Sequence, residues 1–179
     1  TPEPRLRFLE RLEAEPQSIP GAKVAMGSSL PLGGGFTWQF ELEGKPILDP
    51  KDQLSALGLE ITPEYFDALG IPLLAGRTFD PGEGTGTRSA VIVNQLFAQK
   101  YWAGENVIGK RIRILRDAKD LRSAAIAQPL LTVVGVVPDI KQNWDPNALL
   151  EPVMYVPYRQ GQTSRAVTIR IRVLRLTRA

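Results

Sequence analysis

The side chains that could carry out chemistry in this sequence are carboxylates, hydroxyls and lysines, because the chain contains no cysteine and no histidine. This composition excludes thiol nucleophiles, Ser–His–Asp triads and zinc sites built from Cys or His. The acidic residues that could form catalytic or metal-binding pairs are Asp80, Glu83, Asp139, Asp145 and Glu151. Their spacing matches no known ligand pattern, so we interpret them as surface turn residues, with Asp139 capping the turn after its strand. We therefore predict no catalytic residue, no metal site and no cofactor.

Three consecutive glycines, Gly33, Gly34 and Gly35, are the one feature that suggests a phosphate-binding loop. They lack the following Lys-Ser/Thr of a P-loop and do not connect a strand to a helix. A flexible loop is the better interpretation. Trp144 stands in a polar segment and is the best candidate for an exposed contact residue, whereas Trp102 is predicted to lie in the core.

Length and composition indicate a globular domain. The chain has 179 residues, 43% hydrophobic and 23% charged, which is enough to bury a core. The net charge of +3 is spread without a basic run, so nucleic-acid binding is not expected. No apolar run approaches the roughly 18 residues that span a bilayer. The polar start carries no signal peptide or initiating methionine, so we expect the chain to be part of a longer protein.

Helical periodicity and capping signals predict three helices. An amphipathic pattern covers 4–15 and ends before Pro16. Thr62-Pro63-Glu64 is typical of a helix start, with Thr62 as the cap and Gly70 ending the helix after about two turns. A third helix is predicted for Gln95–Trp102, with Asn94 as its cap.

Alternating and β-branched stretches predict strands around these helices. In Leu130–Val137, Gly135 marks a bulge or a close approach of another backbone. Residues 116–128 are less regular, and their path is open. The order of elements predicts an α+β fold rather than a regular βαβ array. The predicted strands are 22–28, 37–43, 54–61, 89–93, 111–115, 130–137, 152–157 and 166–174, with an extended piece at 71–74.

Several stretches, in a fixed order, together resemble the MacB-like periplasmic core domain of FtsX/MacB-type ABC transporter permeases. None is specific alone; the ordered combination carries the resemblance. Two segments within these stretches, Leu69-Gly70-Ile71-Pro72 and Pro138-Asp139-Ile140-Lys141, look closest to the duplicated orphan permease branch of the family. The matching stretches are 30–35, 61–73, 76–79, Ala90–Asn94, 107–112, 133–139 and 153–158.

The resemblance implies a domain outside the cytoplasmic membrane, inserted between two transmembrane helices of its parent chain. It implies a porter-like subdomain over 1–59 and 162–179, with its second half incomplete, and an inserted Sabre-like subdomain over 60–161. The helix over 4–15 would continue from the first transmembrane helix. A cytoplasmic ATPase would move those helices, and the domain would carry the movement outward without being an enzyme itself.

The resemblance also implies partner contacts. Gly33, Gly34 and Gly35 would face a partner or substrate, and Arg77 belongs to the family pattern. For Arg77 we favour a hydrogen bond to a carbonyl or a nearby carboxylate over a partner contact. A homodimer and a periplasmic partner are both possible. Two alternatives stay open: a binding module for a lipid, peptide or lipoprotein, and a hydrolase based on carboxylates or a Ser–Lys pair.

Overall fold

The computed structural model describes residues 22–29, 32–45, 47, 49–83, 89–115, 129–143, 145–160 and 167–172. Two sequence predictions, the helix over 4–15 and the path of 116–128, lie outside these residues. Within the described part, the chain forms one sheet with two short α-helices. Neither of these helices has the length and apolar character needed to cross a membrane.

Strands dominate the described residues. Eight of them confirm predicted strands with ends that differ by no more than two positions, and only the extended piece at 71–74 is displaced, to Ala75–Gly76. The helices are α1 Tyr65–Ala68 and α2 Gln95–Trp102, with 3-10 turns at Pro50–Asp52 and Tyr158–Gln160. The strands are β1 Ala22–Gly27, β2 Phe36–Leu42, β3 Leu54–Ile61, β4 Ala75–Gly76, β5 Ala90–Asn94, β6 Arg111–Leu115, β7 Leu131–Val137, β8 Val153–Pro157 and β9 Val167–Arg172.

Six strands close into a ring of hydrogen-bonded neighbours in the order β2–β6–β7–β5–β8–β3 and back to β2. Strand β3 closes the ring because it pairs with β2 along its first half and with β8 along its second half. The β3–β8 and β5–β7 pairings are parallel, and the other four are antiparallel. Strands β1 and β9 extend the sheet from β3, and β4 lies along β7. The sheet-dominated mixed α/β structure agrees with the predicted α+β class.

Two buried clusters lie on the two faces of the ring strands. The first receives side chains from all six ring strands and from Phe97 and Trp102 of α2, as expected for residues that point into a closed ring. Phe97 packs on Phe40 with ring centroids 5.1 Å apart. The second cluster includes residues of α1 and β1 that cover β3, β5 and β8. Alternate side chains of one strand therefore pack into different clusters. Trp102 is buried, which confirms its predicted core position.

A β-bulge in β7 adjusts this alternation. Val91 lies opposite Val133, but Ile92 lies opposite Gly135, so Val134 is the extra residue. The insertion reverses the alternation after it, which directs Val136 to the first cluster. A Cβ added at Gly135 would overlap the carbonyl oxygen of Arg77, so the two backbones approach closely here. The sequence prediction of a bulge or close approach at Gly135 is confirmed.

The start of α1 differs from the sequence prediction. The helix is a single turn, and Thr62 does not cap it. The Thr62 hydroxyl instead accepts a hydrogen bond from the Met26 amide at 3.1 Å, and the Met26 carbonyl accepts one from the Thr62 amide. The local sequence pattern predicts that the Thr62 hydroxyl caps the helix. In the structure this hydroxyl bonds to the Met26 amide of β1 instead, because a buried donor needs a partner. Gly70 adopts a φ of 67°, as predicted.

The described chain enters and leaves the sheet at one end. Strands β1 and β9 are antiparallel neighbours, with Ala22 opposite Arg172 and Gly27 opposite Val167. Gly27 also lies opposite Ile61 of β3, and Val153, where β8 begins, lies opposite Leu57. Ala22 and Val153 are therefore five plus four residues apart along the strands, about 30 Å at roughly 3.3 Å per residue. The division of the chain into a subdomain over 1–59 with 162–179 and a subdomain over 60–161 stays a prediction. The sheet contains strands from both parts, since β2 pairs with β6.

Candidate functional site

The three glycines lie on a surface where two loops meet. We call residues 32–36 the glycine segment and residues 138–152, which join β7 to β8, the connecting loop. Gly33 forms a backbone bridge with Asn143, and the Gly34 amide donates to the Gln142 carbonyl at 2.7 Å. Gly35 packs against Leu57 so closely that a Cβ would collide with the leucine side chain. Backbone contacts thus hold the glycine segment against the connecting loop.

Asn94 organises the second end of the connecting loop. Its Oδ1 accepts from the Phe97 amide at 3.0 Å, which confirms the predicted cap of α2, and also from the Val153 amide at 2.8 Å. Its Nδ2 donates to the Glu151 carbonyl at 2.8 Å. One fully buried side chain therefore ties the start of α2, the end of the loop and the start of β8 together.

Asp139 anchors the first end of the loop, in a way the sequence did not predict. Its Oδ1 accepts from the Leu96 amide of α2 at 2.7 Å, so the expectation that it caps the turn after its own strand is wrong. The open amides at a helix start attract a carboxylate, and the fold brings Asp139 to them. Lys141 donates its Nζ to the Pro146 carbonyl at 2.7 Å. Asp145 accepts from the Asn147 amide, which makes a tight turn.

A buried tyrosine pair, Tyr65 and Tyr155, lies behind this surface, with ring centroids 6.4 Å apart. The Nε2 of Gln142, in the connecting loop, donates to the Tyr155 hydroxyl at 3.0 Å. Burial raises the pKa of Tyr65 to about 12. Burial, reinforced by the nearby Tyr65 and Asp139, also raises the pKa of Tyr155, although the Gln142 bond acts in the opposite direction. Both phenols are therefore neutral at physiological pH.

The raised pKa values should make the fold sensitive to alkali. A phenol that holds its proton more tightly when folded contributes full stability below its unfolded pKa of 10.0, and loses it as the pH rises toward about 12. Each group changes the free energy of unfolding by up to about 1.4 kcal/mol per pH unit in that window. The Tyr65 hydroxyl has no hydrogen-bond partner among the described residues. Tyr65→Phe should therefore match the parent within about 0.5 kcal/mol at neutral pH and exceed it near pH 11, as measured by urea unfolding.

Tyr155→Phe is the matched comparison for this prediction. It removes the acceptor of the buried Gln142 amide, so it should cost about 1–2 kcal/mol already at neutral pH. If the stability of Tyr65→Phe falls with rising pH as steeply as that of the parent, Tyr65 does not carry the alkaline sensitivity.

Arg77 makes the ion pair that we favoured for it. Its guanidinium binds both carboxylate oxygens of Glu83, at 3.0 and 2.6 Å, donates to the Thr78 carbonyl and lies 3.4 Å from Asp80. The bond to Glu83 raises the pKa of Arg77, so the group stays charged. The structure thus brings Asp80 and Glu83 together on one guanidinium, which offsets one of their two negative charges.

The charged residues that line the clefts near these groups are already paired with one another or with neighbours. A cleft of about 450 Å³ includes Arg77, Glu83, Ser89 and Arg111 in its lining, and Arg111 forms a two-point ion pair with Glu43 outside it. A smaller cleft of about 200 Å³ is lined in part by Glu41, Glu43 and Arg113. Within the described ranges, no three acidic side chains come close enough to hold a metal ion.

Sequence reasoning found some site residues and missed others. Trp144, the predicted contact residue, lies outside the described residues. The second bond of Asn94, to Val153, and the role of Gln142 were missed. An asparagine at a helix cap signals only the local bond to residue 97, and a lone glutamine in a polar loop carries no signal of burial.

One family model matches most of the chain. Residues 16–175 match the model of the MacB-like periplasmic core domain. The periplasmic region of MacB from Actinobacillus actinomycetemcomitans has a similar fold, with a TM-score of 0.60 and 15% identity over 97% of this chain and 66% of that one. A domain of a putative permease protein from Porphyromonas gingivalis has a TM-score of 0.53 and 18% identity over 88% of this chain and 59% of that one.

A third solved structure, the extracellular domain of the noncanonic ABC-type transporter YknZ from Gram-positive bacteria, has a TM-score of 0.48 and 17% identity over 79% of this chain and 58% of that one. The chain spans less than two thirds of the length of each structure. A search of curated proteins finds no match. The family match over most of the sequence decides the assignment: this chain belongs to the MacB-like periplasmic core domains, the periplasmic domain family of MacB/FtsX-type ABC transporter permeases.

Proposed function

We propose that the chain is the extracytoplasmic domain of a bacterial ABC-type efflux or lipoprotein-type transport permease, and that it carries movement of the membrane helices to the periplasmic side. The observation that supports this most directly is the pairing of β1 with β9, in which Ala22 lies opposite Arg172. A domain inserted between two helices of one membrane must begin and end on the same side. Movement of either helix would then pull on two neighbouring strands.

The packing of the described residues suits a connector that moves as one body. Two buried clusters share the strands of a single ring, and a closed ring has no free edge at which strands can separate. Asn94 and Asp139 tie α2 to the connecting loop. In this proposal a cytoplasmic ATPase supplies the energy and acts on the domain only through the parent's own transmembrane helices. The proposal includes two further points: the parent permease forms a homodimer, and it belongs to the duplicated orphan permease branch.

The experiment measures nucleotide-driven movement in the full-length parent permease, reconstituted with its ATPase in lipid nanodiscs. These 179 residues contain no cysteine, so in a parent permease and ATPase whose other cysteines are replaced, Gln99→Cys on the exposed face of α2 gives a single labelling site. We expect the distance from this label to the lipid surface to change between the ATP-bound and nucleotide-free states. A second pair, Gln99→Cys with Thr37→Cys, reports the internal distance, which should stay constant.

Flexible linkers provide the control. A Gly-Ser insertion before Ala22 and another after Arg172 should abolish the movement of the label while ATP hydrolysis continues. The same insertion after Gly104, in the exposed turn that follows α2, should leave the movement intact. A label that stays at one distance in both nucleotide states, or an internal distance that changes as much as the outer one, would contradict a passive connector.

A further inference from the structure

Exposed apolar side chains concentrate on the two loops that meet at the candidate site. Of the five large hydrophobic residues exposed in the described part of the chain, four lie on these loops: Leu32 and Phe36 in the glycine segment, and Leu149 and Leu150 in the connecting loop. Leu149 is 85% exposed and Leu150 is 48% exposed. Scattered exposed leucines are ordinary, but this grouping on two touching segments is typical of an interaction surface.

The backbone beneath these side chains is held in place. Gly33 and Gly34 bond to residues 142–143, Asn94 binds the Glu151 carbonyl, and Lys141 binds the Pro146 carbonyl. These hydrogen bonds therefore fix the described residues of the connecting loop before any partner arrives. A surface that is already ordered loses little conformational entropy on binding, which favours affinity.

The charges of this surface indicate the chemistry of its partner. The connecting loop has three acidic residues and one basic residue, whereas the whole chain has a net charge of +3. Asp145 and Glu151, which flank the two exposed leucines in sequence, are themselves exposed. The glycine segment has no charged residue. A partner that covers the leucines must therefore offer apolar side chains bordered by positive charge.

We infer that this surface binds an amphipathic, basic segment of a partner protein on the side of the domain away from the membrane. The loop leads into Val153, at the end of the sheet opposite Ala22 and Arg172. The choice of a protein over a lipid surface rests on the proposed function, because only that proposal assigns the Ala22 end to the membrane. The contact itself is a property of the isolated chain and can be tested without a membrane.

The test titrates the isotope-labelled chain with a short synthetic peptide of leucine and lysine in an amphipathic helical pattern, followed by amide chemical shifts. We expect saturable shifts confined to residues 32–36 and 138–152. A matched peptide with glutamate in place of lysine should give none. Added salt should weaken the binding, since it screens exposed charges.

Variants distinguish binding at this surface from non-specific hydrophobic binding. The double variant Leu149→Ser with Leu150→Ser should raise the dissociation constant of the peptide about ten-fold or more. Asp145→Asn with Glu151→Gln should raise it about three-fold. Leu74→Ser is the matched control, because Leu74 is 50% exposed and lies off this surface. Equal weakening by Leu74→Ser, or shifts spread over the whole sheet, would overturn the inference. So would preferential binding to lipid vesicles, or self-association through these loops in sedimentation. None of these results would bear on nucleotide-driven movement in the parent permease.

Discussion

Asn94→Leu should lower the free energy of unfolding by about 4 kcal/mol. The side chain is fully buried and makes three hydrogen bonds, to the amides of Phe97 and Val153 and to the carbonyl of Glu151. Leucine has a similar size but leaves all three backbone groups without this partner. Each buried group left unpaired costs about 1–3 kcal/mol, and the loss of a helix cap alone costs about 1 kcal/mol. Urea unfolding followed by tryptophan fluorescence measures the change.

Asn94→Asp is the matched control. The carboxylate keeps an acceptor for both amides and suits the positive end of α2, but it cannot donate to the Glu151 carbonyl. We expect a loss of about 1–2 kcal/mol, with faster hydrogen exchange in the connecting loop. Equal losses for leucine and aspartate would show that the two accepted bonds contribute little, and the account of Asn94 as the anchor of the loop would be wrong.

Gly76→Ala is expected to cost about 3 kcal/mol, the second large effect. Gly76 has a φ of 75°, and a Cβ there would overlap the carbonyl oxygen of Val134, well inside 3.0 Å. The obstacle is backbone, so it cannot rotate away, and β4 must separate from β7. That separation breaks the bonds from the amides of Leu74 and Arg77 to β7. Chemical denaturation measures the cost, and hydrogen exchange of these two amides locates it.

Gly109→Ala isolates the conformational part of this cost. Gly109 has a φ of 88°, but nothing lies within 4 Å of the added Cβ. A left-handed conformation alone costs an alanine about 1 kcal/mol. If both substitutions cost the same, the close approach of β4 and β7 has no energetic importance. If the Leu74 and Arg77 amides stay protected in Gly76→Ala, the strand has not separated and the mechanism is wrong.

Short-range signals predicted the elements that depend on neighbouring residues. The boundaries of α2 and of β6 were predicted to the residue, and the Asn94 cap and the left-handed Gly70 were also predicted. These features depend on contacts within a few positions, so residue type and spacing are sufficient to indicate them. The family was recognisable for a related reason, because its ordered short stretches are each local.

Pairings between distant residues were beyond any local pattern. Thr62 binds Met26 across 36 positions, Asp139 binds Leu96 across 43, and Asn94 binds Val153 across 59. The closure of the ring, in which β2 pairs with both β3 and β6, is of the same kind. A polar side chain bonds to whichever buried backbone group lacks a partner, and packing alone determines which group that is. Composition and spacing therefore determined the elements and the family, whereas the folded chain decided which polar residues hold the two loops together.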